Sequence, residues 1–264
     1  MDFSFTNEQD LWRKTVKEFA QKKIKPKVRE IDTNQKIPEE IIREMGKLGL
    51  LAPTASNEYG GADLDWTMAA IAAEELGRAD ISLAIPVLYL VEAAWGFILS
   101  RYGNKELKEK YLPKITKGEA FCGIAVTEPE GGSDIVGAAK TKGEKKRDKW
   151  VLNGEKIFIS GIKESSKWGG IHLTLARTDS KAGHKGFSFF AVPLKDIKNI
   201  ETTLFEDMGR MGISTGGFTM NNVELPSYYL IGRQNKGFYY AMEAVSYTHL
   251  RAHETVLDLV CRLL

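Results

Sequence analysis

The first part of the chain repeats its apolar residues with a helical period. Leu11, Trp12, Val16, Phe19, Ala20 and Ile24 recur at helical spacing, and Pro26 lies just beyond, so a helix is predicted to stop there. Pro38 suits the first turn of a helix carrying Ile41, Ile42, Met45 and Leu48, which Gly49 can end. Residues 51–64, with Pro53 and the pair Gly60-Gly61, read as a loop. Asp65 is placed to cap a helix bearing Met68, Ala69, Ile71, Ala72 and Leu76. An apolar helix near 82–100 follows. Asn104 then starts a charged helix predicted to end near Leu112-Pro113.

The pattern changes after Gly118. Phe121–Val126, His172–Ala176, Phe187–Val192 and Phe218–Val223 have strand character. Trp150 to Ile159 contains Asn153-Gly154, a pair suited to a type I′ turn, so a hairpin is predicted with its turn at that pair. Helical pattern returns near Lys236. Helices first and strands afterwards argue against alternating βαβ units and for an α+β multidomain chain. The expected division is a helical N-terminal domain over 1–119, a β domain over 120–232, and a helical stub over 233–264.

Composition narrows the class. Apolar residues are 43% and charged residues 27%, which places the chain among globular proteins and not disordered ones. The net charge of +2 supplies no global field for nucleic acid, and no nucleic-acid partner is expected. Two separated cysteines, Cys122 and Cys261, read as thiols of a reducing compartment, so a cytoplasmic location is expected. The stretch Ile81–Leu99 carries a single charge, Glu92, but includes Ser82, Pro86 and Gly96. It is read as a buried helix, and no membrane span is expected.

Familiar nucleotide and metal motifs are missing: there is no GxGxxG after a strand, no Walker A loop, no HExxH and no CxxC. His249 and His253 stand at i, i+4 but make only two ligands, so no metal is assigned. Lys140, Lys142, Lys145, Lys146, Arg147 and Lys149 form a basic run. It reads as a solvated loop face or as a place for an anionic group, and it lacks the interleaved aromatics that stack on bases. Two segments carry more information. Ala125 to Asp134 holds Thr127, Gly131, Gly132 and Ser133 after a strand, which suits either a tight turn or a loop whose backbone approaches a ligand. In Asn153–Gly161, Phe158 and Ser160 lie two apart on one strand face. That face could pack under a flat ring and hydrogen-bond its edge, or it is a core Phe beside a strand-end Ser.

Taken together, Glu58-Tyr59-Gly60-Gly61, Glu75-Leu76-Gly77-Arg78, Lys110-Tyr111-Leu112-Pro113, the Thr127-Glu128-Pro129 and Gly131-Gly132-Ser133-Asp134 loop, Asn153–Ser160, Val223-Glu224-Leu225-Pro226 and Gly237-Phe238 resemble the acyl-CoA dehydrogenase family of flavoproteins, in family order and spacing. The resemblance implies an all-α N-terminal domain, an antiparallel β-barrel-like middle domain and a C-terminal helical domain. It implies FAD as cofactor, contacted by Ile124, Val126, Thr127, Gly132, Ser133, Phe158, Ile159 and Ser160, with Ser133 also beside the acyl-CoA substrate. The stretch from Pro86 to Leu99 is expected to wall the acyl pocket, with no role assigned to Glu92. The implied reaction is α,β-dehydrogenation of an acyl-CoA in fatty acid metabolism: a glutamate takes the α-proton while hydride leaves the β-carbon. The implied partners are electron-transfer flavoprotein and three further copies of the chain in a homotetramer.

The resemblance stops near Val245. The three positions where one subgroup carries its acid, base and arginine are Ser246, Thr248 and His249 here. Glu254 and Asp258 fall on no family position, so no catalytic residue is assigned in this chain. The expectation is a chain that stops short of its third domain and ends in a non-family tail from about residue 246. Alone it is expected to be inactive and to retain no flavin on purification. The other readings are an acyl-CoA oxidase-type flavoprotein and a non-catalytic fragment that binds flavin or acyl-CoA.

Overall fold

A computed structural model describes residues 4–244. The first half is helical: α1 (Asn7–Phe19), α2 (Val28–Asn34), α3 (Glu39–Lys47), α4 (Trp66–Ala79), α5 (Ala84–Tyr102) and α6 (Lys105–Ile115). Thr6 and Gln9 form a reciprocal capping box at the start of α1. Asp65 and Asn104 cap α4 and α6, accepting from the Met68 N–H at 2.8 Å and the Leu107 N–H at 3.0 Å. Val16, Ile24, Met45, Leu50, Leu76 and Tyr89 meet in a buried helical core. The Trp12 indole donates to the Met68 carbonyl at 2.8 Å and joins α1 to α4.

Neither proline stops its helix where the sequence predicts. Past α1 the backbone passes through a π-helical turn (Ala20–Ile24) and a 3-10 turn (Lys25–Lys27) and continues as α2. Pro26 falls at the first positions of that 3-10 turn, where its missing N–H has no partner to lose. Helix α6 likewise runs two residues past Pro113, to Ile115. By length and composition α5 could cross a membrane, yet 67% of its most apolar window is buried inside the protein. Its Trp95, Ile98 and Leu99 join a second core with Leu112, Trp150, Phe189 and Phe190, which binds the helices to the sheet.

The second half holds β1 (Phe121–Ala125), α7 (Ile135–Ala138), β2 (Lys142–Lys146), β3 (Lys149–Ser160), α8 (Ile162–Trp168), β4 (Gly170–Arg177), β5 (Phe187–Val192), β6 (Ile200–Phe205), β7 (Thr215–Pro226) and β8 (Leu230–Ile231). The strand order is β6-β7-β3-β2-β4-β5-β8, with β1 paired to β4. The expectation of an antiparallel barrel-like domain is corrected in two respects. The sheet is open, with β6 and β8 at its edges, and β1 runs parallel to β4. A helical segment over 237–244 follows.

The predicted hairpin turn at Asn153-Gly154 is also corrected. These residues lie inside β3, and the chain reverses before it, at Arg147-Asp148, where Arg147 takes φ +55°. Gly154, at φ +146°, sits at a bulge between β3 and β7. A Cβ there would stand 2.4 Å from Thr141 Oγ1, so glycine is required by close approach and not by a reversal. Part of the basic run is strand β2, not a loop face: Lys140 pairs with Glu130, Lys149 with Glu224, and Lys145 lies over the Trp150 ring. Strand β6, Ile200–Phe205, escapes the sequence reading because none of its residues is buried.

Candidate cofactor site

The site is built where β1 ends and β3 passes it. From Ala125 the chain enters the loop 126–134, and Asp134 closes it by accepting from the Gly137 N–H at 2.8 Å, which caps α7. Glu128 and Gly131 exchange backbone hydrogen bonds of 3.2 and 3.0 Å across Pro129-Glu130. Gly132 folds back on Thr127, since a Cβ would lie 3.0 Å from Thr127 Cγ2. The loop lies on β3 through Ile157 N–H to the Thr127 carbonyl, 3.0 Å. Val126 and Thr127 are therefore brought against the segment that leads to Phe158.

Phe158 is the conspicuous residue. It occupies a left-handed backbone conformation, φ +57°, at an irregularity in the β3–β7 register between Lys156 and Ile159. Its ring is 65% exposed and touches Phe205 edge-on at 5.6 Å. A bulky residue at positive φ is strained, and here the distortion turns an aromatic ring outward instead of into the core. Ile159 turns the other way and is buried, so it can meet a ligand only through its backbone. Ser160 is half-buried, and its Oγ accepts from Arg210 Nη1 at 3.0 Å, while Arg210 Nη2 donates to Thr215 Oγ1 at 2.6 Å. Ile124, Val126, Thr127 and Gly132 are half-buried and Ser133 is exposed. An apolar ring face with hydroxyls at its margin and glycine-lined backbone nearby fits the demands of a large flat cofactor.

Arg210 and the pair Lys156–Glu128 were not found by sequence reasoning. Lys156 Nζ lies 2.6 Å from Glu128 Oε1, with the two side chains 0% and 2% exposed. Lys156 also donates to the Val126 carbonyl at 3.1 Å. Glu128 accepts from the backbone N–H of Lys140 at 2.5 Å and of Thr141 at 3.1 Å. Burial pushes the Lys156 amine down to about 8, against the attraction of Glu128. The available signal was an acidic and a basic residue inside otherwise apolar or glycine-rich segments.

Glu92, left without a role by the sequence, lies on α5 against β1. Its Oε1 accepts from the Cys122 N–H at 3.1 Å and its Oε2 has no partner. Burial holds its carboxyl well above the usual carboxylate range. His172 on β4 is buried between Phe121 and Phe218, with ring centroids at 5.6 and 6.0 Å, near the backbone of Gly161 and Ile124. Burial pushes it down to about 3. A separate open groove of about 510 Å³, with Leu11, Phe19 and Leu48 among its walls, lies on α1 and α3 and includes none of the loop or β3 residues. His249, His253, Glu254, Asp258, Cys261 and the predicted non-family tail lie outside the described residues.

Residues 6–119 match the acyl-CoA dehydrogenase N-terminal domain and residues 123–223 the acyl-CoA dehydrogenase middle domain. The chain belongs to the acyl-CoA dehydrogenase family. Among its curated relatives, glutaryl-CoA dehydrogenase of Desulfococcus multivorans is 32% identical over 96% of this chain and 64% of its own length. The short-chain-specific acyl-CoA dehydrogenase of Clostridium acetobutylicum is 34% identical over 93% and 63%. A solved glutaryl-CoA dehydrogenase in complex with glutaryl-CoA superposes with a TM-score of 0.88 at 32% identity, covering 96% of this chain and 63% of that one. The chain thus spans just under two thirds of the length of these relatives. A solved glutaryl-CoA dehydrogenase from Mycobacterium smegmatis, 23% identical, is in complex with FADH2.

Proposed function

We propose that this chain carries the FAD-facing and acyl-CoA-facing part of an enzyme that dehydrogenates acyl-CoA thioesters between the α and β carbons. The observation that carries the reading is Phe158, held outward in a left-handed backbone beside the Thr127 loop. Loop 126–134 and β3 would hold FAD, which supplies hydride acceptance when bound. Phe158 would cover an apolar ring face and keep water from it. The Thr127 and Ser160 hydroxyls would hydrogen-bond the ring edge, and Arg210 would fix the Ser160 rotamer. Ser133, at the exposed end of the loop, would lie beside the thioester arm, and α5 from Pro86 to Leu99 would wall the acyl chain.

No carboxylate among the described residues is assigned to proton abstraction. Glu92, buried against β1 with one carboxyl oxygen on the Cys122 N–H, is not proposed for that task. The reading therefore has this chain binding added FAD too weakly to retain it on purification, and without turning over. It also has the whole protein acting as a cytoplasmic homotetramer that passes its electrons to electron-transfer flavoprotein, after the pattern the sequence resembles. The buried free thiol of Cys122 supports the compartment.

The test is titration of the purified chain with FAD, followed by anaerobic addition of acyl-CoAs of graded length. Saturable quenching of flavin fluorescence is expected, with no bleaching of the flavin absorbance. Failure to bind FAD at any accessible concentration overturns the cofactor assignment. Bleaching overturns the absence of a base.

A further inference from the structure

We infer that the buried ion pair Lys156–Glu128 is a positioning device that locks the loop 126–134 in register with β3 beside Phe158. This deepens the cofactor reading above and rests on it only for what the register serves. The pair sits between the two groups of proposed flavin contacts. Glu128 belongs to the loop and Lys156 lies two residues before Phe158. Lys156 reaches both the Glu128 carboxylate and the Val126 carbonyl, and Glu128 reaches on to the backbone N–H groups of Lys140 and Thr141. Three segments, the loop, β3 and residues 140–141, are thus tied at one buried point, and a shift of β3 along the loop breaks several bonds at once.

Stability alone does not account for this arrangement. Two ions removed from water usually lose more in hydration than their attraction returns, and apolar replacements of similar volume are often as stable. What an ion pair supplies that an apolar contact does not is a single allowed register, because any other leaves a charge buried alone.

The decisive variant is the neutral pair Lys156→Met with Glu128→Gln, in the full chain. The glutamine oxygen can still accept from the Thr141 N–H, and no charge is left in the interior. Expected is a melting temperature no lower than wild type, with faster amide hydrogen exchange confined to 126–134 and 156–160. FAD affinity should fall about 10–100-fold, the scale on which removing groups that orient metal ligands weakens metal binding. Lys156→Arg, which keeps the charge, should restore the protection. Unchanged exchange and FAD affinity in the neutral pair would overturn the inference. So would a global loss of stability with no selective change in the loop. Should both variants fail to fold, the wild-type Lys156 ammonium decides: slowly exchanging protons in a nitrogen-detected spectrum support the lock, and water-like exchange overturns it. If the wild-type chain binds no FAD, the cofactor reading fails while hydrogen exchange still judges the lock.

Discussion

His172 should make the protein acid-labile, and the effect is large enough to isolate. The imidazole is fully buried between Phe121 and Phe218, and this burial outweighs the backbone groups of Gly161 and Ile124 that favour the protonated ring. Its folded value of about 3 lies below the ordinary 6.5. Between these values the unfolded chain binds a proton that the folded chain refuses, so stability is present above about pH 6.5 and is lost as pH falls toward 3. The whole difference is 3.5 pKa units, about 5 kcal/mol at the limit. At about pH 5 the loss is already about 2 kcal/mol relative to about pH 8, or roughly 1 M in urea midpoint. The comparison is wild type against His172→Leu, each unfolded in urea across that range. The variant carries a packing change that does not depend on pH, so only the slopes matter. Wild type should lose about 2 kcal/mol more than the variant between about pH 8 and about pH 5. Parallel losses in the two proteins would refute the reasoning.

Glu92 predicts the opposite slope. Its folded value is raised, so the stability it contributes is present at low pH and is lost as pH rises through that value. Glu92→Gln should therefore match wild type near pH 4.5 and exceed it increasingly toward alkaline pH in urea melts. Gly154→Ala places a Cβ 2.4 Å from Thr141 Oγ1 in a backbone at φ +146° and should lower stability by about 1–3 kcal/mol, measured calorimetrically. Phe158→Ala removes a 65% exposed ring and should leave the melting temperature unchanged while weakening FAD binding in a fluorescence titration. Asp65→Ala removes the cap on the Met68 N–H and should cost about 1 kcal/mol in the unfolding free energy.

Local chemistry was legible along the chain. Asp65 and Asn104 cap the helices that follow them, as their side chains allow. Strand β5 coincides with the apolar run Phe187–Val192 because a strand buried on both faces needs no alternation. The helical first half and the sheet that follows were readable from period alone, since periodicity records which face an element buries. The sequence also points to the loop at 126–134 and to Phe158, although the local pattern by itself favours a tight turn and a core aromatic there.

Other features depended on partners distant in the chain. Gly154 suits a reversal by local preference, yet Thr141 presses on it from another segment, and the same residue becomes a bulge inside β3. Pro26 and Pro113 read as stops, and each was absorbed because the adjoining turn had no need of the missing N–H or because packing held the helix past it. Whether the sheet closes, and that β1 lies parallel to β4, is set by long-range pairing that no local pattern encodes. Lys156, Glu128, Arg210, Glu92 and His172 are ordinary polar residues in the sequence. Their partners arise only when the strands and helices around them assemble, and the shifted proton affinities of Lys156, Glu92 and His172 follow from burial, because desolvation belongs to the surroundings and not to the residue.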